Sequence, residues 1–175
     1  MRASVISINI SHAKGERKKP AGSAEFRVGH GIVGDGHAGN WHRQVSLLGI
    51  ESIGSMREKG LDVGSGDFAE NITTEGIDLP SLPVGTLIRL GSTLVEVTQI
   101  GKKCHNRCKI YQKAGDCVMP REGIFVKVME GGAIFDGDAI EVVNVSRNGE
   151  TEEAFNVIEA GREISSSDAG RKAER

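Results

Sequence analysis

Aromatic residues, cysteines and long apolar runs are all scarce in this sequence, and each scarcity excludes a class of protein. Aromatic residues make up 4% of the 175 residues, and there are three cysteines. A small, odd number of cysteines in a chain of this length argues against a disulfide framework and favours reduced thiols. No apolar run reaches the roughly 20 residues of a membrane-spanning helix, so the sequence predicts no membrane association.

A large excess of charge of one sign is also lacking. The 22 lysines and arginines nearly balance the 24 aspartates and glutamates, which gives a net charge of −2. This balance excludes a generally polycationic nucleic-acid binder, so any site for an anion must be a local patch. Residues 1–10 alternate polar and apolar side chains, unlike a secretory signal, and we therefore predict a cytoplasmic location.

Glycine, by contrast, is abundant, with 24 residues, and apolar residues recur with a period of two in several short segments. Both features are typical of short strands joined by tight turns. One helix is predicted at 49–59 with Gly60 as its C-terminal cap, and Gly91-Ser92 is predicted to form a two-residue hairpin turn. Strands are predicted near residues 6–10, 26–28, 44–48, 69–73, 86–90, 93–100, 124–129 and 139–143.

This pattern predicts a mainly β fold, a closed or nearly closed β-barrel with one or two short helices. No regular alternation of strands and helices supports a doubly wound parallel sheet. We divide the chain into a barrel domain at residues 1–146 and a C-terminal segment at 147–175, where the composition changes. That segment is predicted to form a short helix near 150–162 followed by a flexible polar tail.

The most reactive side chains lie in residues 101–110, directly after a predicted strand. Neighbouring positive charge lowers the pKa of a thiol and so favours the thiolate, the form that attacks electrophiles and binds metals. We therefore expect this segment to hold sulfur or a metal beside something anionic. It contains two thiols, one imidazole and four cations, namely Cys104, Cys108, His105, Lys102, Lys103, Arg107 and Lys109.

Three kinds of site were weighed for these cysteines. A zinc site would use Cys104 and Cys108, at the loose edge of zinc-ligand spacings, and would need Cys117 and a histidine to complete it. A c-type haem site is excluded because the histidine follows the first cysteine rather than the second. The third is a single thiolate that binds an anionic metal cofactor or carries a persulfide. Cys117, beside Val118 and Met119, is typical of a buried structural cysteine.

A glycine-rich loop at residues 31–39 can bring backbone amides close to an anion. Asp35 could orient His37 or accept a hydrogen bond from a heterocycle, or it could simply cap backbone amides of the loop. His37 and His42 could bind a metal, the alternative being ordinary polar surface. Arg43 could reach a phosphate or a pterin edge, or form a surface salt bridge.

A second polar segment, at residues 67–76, carries Asn71 and Thr73. Amide and hydroxyl groups of this kind hydrogen-bond heterocycles that contain nitrogen and oxygen. The alternative is that both residues only end a strand in a turn.

Five segments in this order resemble the MOSC domain, the module named for the C-terminal part of molybdenum-cofactor sulfurases. The resemblance extends from about residue 6 to residue 143 and is nearest to the short stand-alone bacterial members. The segments that carry it are 31–35 with His37, then 43–48, 70–76, 82–86 and 119–125.

This resemblance implies a β-barrel that handles the molybdenum cofactor (molybdopterin), or its sulfur, through one cysteine. In relatives that reduce N-hydroxylated compounds the metal-binding cysteine lies in an Arg-Cys-hydrophobic context, which matches Arg107, Cys108 and Ile110. Cys108 is therefore the expected molybdenum ligand or persulfide site, with Cys104 as the alternative. The expected cofactor-binding residues are Asp35, His37, Arg43, Asn71, Thr73, Lys102, Lys103, Arg107 and Arg121.

Three functions follow as hypotheses. The first is cofactor binding or sulfur transfer, with a cysteine-desulfurase-like protein, a cofactor-biosynthesis protein or a molybdoenzyme as partner. Pyridoxal phosphate would enter only through a partner sulfurase, because no aminotransferase-like domain is present. The second is a molybdenum-dependent reductase of N-hydroxylated compounds that needs an electron-donor partner. The third is a zinc-stabilised or thiol-sensing barrel without enzymatic activity. A homo-oligomer is left open.

Overall fold

The computed structural model describes residues 2–14, 16–103, 109–145 and 151–152. Strands account for most of the regular structure in this part of the chain, together with three α-helices and one 3₁₀ helix. The helices are α1 (Ile50–Glu58), α2 (Lys109–Ala114) and α3 (Met119–Glu122), and the 3₁₀ helix is Leu79–Ser81. The strands are β1 (Ser4–Ile10), β2 (Lys19–Pro20), β3 (Ser23–Arg27), β4 (Gly31–Ile32), β5 (Val45–Gly49), β6 (Ile72–Glu75), β7 (Leu87–Leu90), β8 (Thr93–Ile100), β9 (Ile124–Glu130), β10 (Gly132–Phe135), β11 (Ile140–Val145) and β12 (Thr151–Glu152).

Two sheets contain these strands. The larger has nine strands in the order β12-β11-β7-β8-β9-β5-β6-β1-β2, and the smaller has the order β10-β3-β4. Strands β5 and β6 run parallel, with α1 between them in the chain, because a parallel pair needs a crossover connection. The remaining pairs are antiparallel, and among them β7 and β8 are joined by a two-residue turn.

The prediction of a mainly β fold is confirmed, whereas the closed form of the predicted barrel is not found: no sheet of the described residues closes on itself through a strand ladder. The segments of β1 and β11 meet at an isolated bridge between Ser4 and Ala139 and share three backbone hydrogen bonds, from Val5 to Asp138, from Gly137 to Val5 and from Ile140 to Ala3, without forming a strand ladder. A turn at 136–138 lies beside β1, and the carboxylate of Asp136 accepts a hydrogen bond of 2.8 Å from the Ile8 amide.

Apolar side chains pack in two clusters that share strand β5. Leu47 belongs to the cluster enclosed by the larger sheet, and Leu48 belongs to a second cluster beneath the helices. Because both faces of β5 are covered, the strand is apolar without alternation apart from Ser46. The second cluster also contains Ile53 and Met56 of α1, so it anchors the helices against the sheet.

The predicted helix at 49–59 corresponds to α1, and Gly60 follows it with a φ of 85°. Gly91 likewise has a positive φ of 53°, as the predicted hairpin turn between β7 and β8 requires. The strand predicted at 69–73 begins later, at Ile72, because residues 65–68 form a turn and the Ala69 amide bonds back to Gly66.

The predicted C-terminal helix falls largely outside the described residues. Thr151 and Glu152, which it would include, pair with β11 instead. No helix among the described residues is both long and apolar enough to cross a membrane.

Candidate functional site

A cavity of about 200 Å³ lies where the loop before β5 meets the end of β8 and the start of α3. We call it the Arg43 cavity. Its walls include two cations and no carboxylate, so the surface of the cavity favours an anion. It is lined by His37, Trp41, Arg43, Ser46, Ala69, Asn71, Lys102, Met119 and Phe125.

Arg43 is held between two aromatic rings. Its Cζ lies 4.9 Å from the centroid of the Trp41 ring and 5.6 Å from that of Phe125. Both distances are within the range of favourable cation–π contacts. The rings fix the guanidinium without neutralising its charge.

The hydrogen-bonding capacity of Arg43 is not used up by the described part of the chain. Its Nε is buried without a hydrogen-bond partner, and no described ion pair involves Arg43 or Lys102. A buried donor without an acceptor is costly and rare in folded proteins. An acceptor supplied by a bound anion would remove that cost, provided that a small shift of the side chain exposes Nε to the cavity.

The loop that carries Arg43 is shaped by close backbone contacts. Gly36 packs against the backbone of residues 12–13, where a Cβ would lie 2.9 Å from the His12 carbonyl oxygen. The indole N–H of Trp41 donates a hydrogen bond of 2.9 Å to the carbonyl oxygen of His37. These contacts explain why this loop needs glycine, and they orient the Trp41 ring towards Arg43.

Beneath His37 lies a buried ion pair between Lys18 and Asp35. The side chains are 1% and 0% exposed, and Nζ is 2.5 Å from Oδ2. Asp35 also accepts hydrogen bonds from the backbone amides of His37 (2.9 Å) and Ser11 (3.2 Å). Burial alone would raise the pKa of Asp35, but the nearby ring and the amide of His37, together with the hydrogen bond and the charge of Lys18, hold that pKa well below its ordinary value.

These contacts revise the prediction for Asp35. The residue is 6% exposed, does not line the Arg43 cavity and caps amides of the loop, so a direct hydrogen bond to a heterocycle is not available to it. The other predicted role, orienting His37, fits its position.

Asn71 lines the cavity, but most of its hydrogen bonds are internal. Its Oδ1 accepts from the amide and the hydroxyl of Ser46 at 3.2 and 3.1 Å, and its Nδ2 donates to the carbonyl of Asn9 at 3.2 Å. Ala69, beside it, has a positive φ of 63°, a conformation unfavourable for residues other than glycine. The strained turn and the amide together form one wall of the cavity.

Thr73, which the sequence predicts to be a cofactor-binding residue, lies away from the cavity. Its side chain is fully buried outside the cavity lining, and its hydroxyl donates to Glu70 Oε1 at 3.0 Å and accepts from Asn9 at 3.2 Å. Glu70 is buried as well, and burial raises its pKa despite hydrogen bonds from Thr73 and from the amide of Phe68. Thr73 therefore belongs to a buried network that supports the wall, not to the wall itself.

Arg121 is also placed differently from the prediction. It lies on the surface, where Asp116 binds its guanidinium through both carboxylate oxygens, and Lys59 Nζ lies 2.8 Å from the same carboxylate. The hydrogen bonds from Arg121 and Lys59 hold the pKa of Asp116 well below its ordinary value. Lys103 is exposed and does not line the cavity.

Cys104, Arg107 and Cys108 lie outside the described residues, so their predicted roles stay predictions. Cys117 is buried in the second apolar cluster, as expected of a structural cysteine. No group of three metal-binding side chains occurs within the described ranges. His42, weighed above as a metal ligand, contacts the Gln99 side chain at 3.1 Å.

The sequence pointed to four residues of the cavity wall and missed the ones that support them. His37, Arg43, Asn71 and Lys102 were predicted and lie around one cavity. The aromatic neighbour Phe125 looked like part of an ordinary apolar strand. Lys18 stood in a polar, lysine-rich segment with no local signal that its side chain is buried.

Comparison with known proteins identifies the family of this chain. The model of the MOSC domain family matches residues 34–141. The chain therefore belongs to the MOSC domain family, which is linked to the molybdenum cofactor. No curated protein matches the sequence.

Solved structures share the fold at low sequence identity. YuaD from Bacillus subtilis has a TM-score of 0.66 and 22% identity over 80% of this chain and 94% of its own. YiiM from Geobacillus stearothermophilus has a TM-score of 0.60 and 18% identity over 85% of this chain and 79% of its own. YiiM from Escherichia coli has a TM-score of 0.58 and 20% identity over 86% of this chain and 73% of its own.

Proposed function

We propose that this protein binds the molybdenum cofactor at the Arg43 cavity and holds its metal, or a sulfur atom destined for it, through Cys108. The main support for this proposal is Arg43, a cation that Trp41 and Phe125 hold in place. The buried Nε of Arg43 has no acceptor among the described residues. A phosphate-bearing pterin supplies the kind of acceptor that a planar guanidinium binds best.

The donor set of the cavity fits such a ligand. Lys102 adds a second positive charge, and no carboxylate lines the walls to compete with an anion. The aromatic faces of Trp41 and Phe125 are engaged by Arg43, so their part is to hold the cation rather than to stack on the pterin. Arg43 and Lys102 would hold the phosphate, and Cys108 would provide the sulfur that the metal prefers.

The size of the cavity limits how much of the ligand it can enclose. At about 200 Å³ it is smaller than the roughly 300–1,000 Å³ of typical small-molecule sites. We infer that it receives the anionic end of the cofactor and leaves the remainder outside.

The neighbourhood of the cavity supports a role for the cysteine segment. Lys102, two positions before Cys104 in the sequence, lines the cavity. Ile110, two positions after Cys108, is buried in the cluster that contains Met119 and Phe125. The described ends of the segment therefore both belong to the surroundings of the Arg43 cavity.

When bound, the molybdenum centre would supply oxygen-atom or sulfur chemistry. A carrier or sulfur-transfer role is our first choice, with a desulfurase-like protein, a cofactor-biosynthesis protein or a molybdoenzyme as partner in the cytoplasm. Reduction of N-hydroxylated compounds is the alternative and would need an electron donor. A zinc-stabilised or thiol-sensing barrel stays the third hypothesis, because its expected ligands Cys104 and Cys108 lie outside the described residues.

The test is co-expression with the cofactor-biosynthesis enzymes, followed by measurement of molybdenum by elemental analysis and of pterin by fluorescence after oxidation. We expect Arg43→Met to lose both together, because the phosphate site is lost. Cys108→Ser should lose molybdenum relative to pterin. The matched control Arg121→Met, a surface cation already bound by Asp116, should retain both.

Equal molybdenum in the wild type and in Cys108→Ser would show that Cys108 is not the ligand, and Cys104→Ser would then be the next variant. Equal loading of Arg43→Met and the wild type would rule out the Arg43 cavity as the cofactor site. Mass spectrometry distinguishes the cargo, since a persulfide adds the mass of one sulfur atom to the cysteine peptide.

A further inference from the structure

The ammonium of Lys18 has three hydrogens and three acceptors. Its Nζ lies 2.5 Å from Asp35 Oδ2, 3.4 Å from Ser11 Oγ and 3.3 Å from His37 Nδ1. With the side chain 1% exposed, bulk water cannot replace any of these partners. Each acceptor is therefore needed.

This arrangement decides which ring nitrogen of His37 carries the proton. An ammonium group can only donate, so Nδ1 must offer it a lone pair. A proton on Nδ1 would turn two donors towards each other and leave the third Lys18 hydrogen without an acceptor. Neutral imidazole then has its single N–H at Nε2, on the opposite edge of the ring.

Asp35 could favour the other tautomer only by accepting a hydrogen bond from Nδ1 of His37, and its position does not allow this. Its Oδ1 is 3.6 Å from Nδ1, beyond hydrogen-bonding distance, and already accepts the His37 amide at 2.9 Å. Its Oδ2 is occupied by Lys18 and by the Ser11 amide at 3.2 Å. The carboxylate therefore fixes Lys18 and the loop, and Lys18 in turn fixes the ring.

We propose that Lys18, held by Asp35, locks His37 in the Nε2–H tautomer, so that His37 serves the Arg43 cavity as a hydrogen-bond donor and not as a base. His37 lines the cavity, and its side chain is 32% exposed while Nδ1 faces the buried ammonium. With Arg43 and Lys102 the cavity then presents three donors. A cavity lined by donors binds a deprotonated group, such as the oxygen of an oxyanion, more tightly than a protonated one. Lys18 and Asp35 are positioning residues in this scheme.

The tautomer can be read without any ligand by long-range ¹H–¹⁵N NMR of the histidine rings in the full chain near neutral pH, with His37→Gln to assign the signal. This makes the result independent of the proposed cofactor function. We expect the coupling pattern of an Nε2–H imidazole for His37. An Nδ1–H pattern or an imidazolium in the wild type would overturn the proposal.

Replacement of Lys18 tests whether it sets the tautomer. In Lys18→Met the carboxylate oxygen Asp35 Oδ1, 3.6 Å from Nδ1, remains as an acceptor while the ammonium is gone, so the pattern should change to Nδ1–H. Lys18→Met/Asp35→Leu removes the buried charge altogether and should give a mixture of tautomers, even if the single variant does not fold. Lys19→Met, the exposed neighbour, is the control and should match the wild type. An unchanged Nε2–H pattern in the folded double variant would refute the role of Lys18.

Discussion

Two arginines, Arg43 and Arg121, show how differently the cavity and the surface of α3 treat a positive charge. Arg43 packs between aromatic rings, and its buried Nε has no partner in the described part of the chain. Arg121 is exposed and bound by both carboxylate oxygens of Asp116. In the sequence both are basic residues near an apolar strand. Because no carboxylate neutralises Arg43 in the described part of the chain, its charge is available to an anionic ligand, whereas the charge of Arg121 is already compensated by Asp116.

The two aspartates of these regions extend the comparison. Asp35 is buried with Lys18, whereas Asp116 is shared between Lys59 and Arg121 at the surface. A buried pair is expensive to break because one charge is left without a partner or water. An exposed pair is weakened by solvent and by salt.

The largest effect should therefore follow from breaking the buried pair. Lys18→Met should lower the free energy of unfolding by about 3–5 kcal/mol, because Asp35 would keep its charge without compensation. Lys59→Met should lower it far less, since Asp116 keeps Arg121 and water. Urea unfolding of both variants measures the difference. Equal losses would mean that the burial of Lys18 has no energetic consequence.

Removal of the cavity cation should weaken anion binding without a matching loss of stability. We expect Arg43→Met to bind the cofactor about 10- to 100-fold more weakly, as for the loss of a charged hydrogen-bonded contact. Stability should change little, because methionine can fill the space between Trp41 and Phe125 and removes a buried donor that lacks an acceptor.

The comparison for this variant is Arg121→Met, assayed for cofactor retention and for thermal unfolding. If Arg43→Met lowers the unfolding temperature but the folded fraction still retains the cofactor, Arg43 has a structural role. The contrast between the two arginines would then disappear.

The contributions of Asp35 and Asp116 to stability should also differ in their dependence on pH and salt concentration. The folded-state pKa of Asp35 is below its unfolded value of about 3.9, so its stabilising contribution is complete above that value and is lost as the pH falls below it. In Asp35→Asn the free energy of unfolding should therefore fall less steeply as the pH is lowered below about 4, at any ionic strength.

Asp116→Asn should flatten the same limb only at low salt, because its partners are exposed and screened. Glu70 acts in the opposite sense, since its pKa is raised in the folded state, and it is common to all the variants compared. Urea unfolding between about pH 2 and 6 at two salt concentrations measures these differences. A salt-dependent Asp35 contribution would contradict its burial.

The smallest effect should come from a change that keeps the charge of the cavity. Arg43→Lys retains a cation but loses the planar fork and the buried Nε, so we expect cofactor binding to weaken by less than about tenfold. Binding as weak as that of Arg43→Met would show that geometry matters more than charge.

Much of the strand pattern could be predicted because it depends on local periodicity. The longer strands β8 and β9 and helix α1 have clear apolar repeats. The two-residue strands β2 and β4 are too short to show any period, and β10 has an exposed, glycine-containing pattern. Whether β1 and β11 pair in a full ladder or meet only at a bridge depends on contacts between the two ends of the chain, which local periodicity does not show.

The site was predictable only in its exposed chemistry. Arg43 and Lys102 are cations beside apolar strands, and His37 follows a glycine-rich turn, all of which are visible in the sequence. The burial of Thr73 depends on contacts with residues far along the chain, such as Asn9, and the pairing of Arg121 depends on how the fold turns Asp116, five positions earlier, towards it. Composition carries no information about those distances.

The position of Lys18 has a consequence for where this protein can be divided. The family match begins at residue 34 and so includes Asp35 but not Lys18. A fragment trimmed to the matched residues would leave an aspartate in the interior with no counter-ion, and Gly66 would lose the backbone partner that donates to its carbonyl oxygen at 3.1 Å. The smallest fragment that folds on its own must therefore start before Lys18, and so before residue 34, where the match to the family begins.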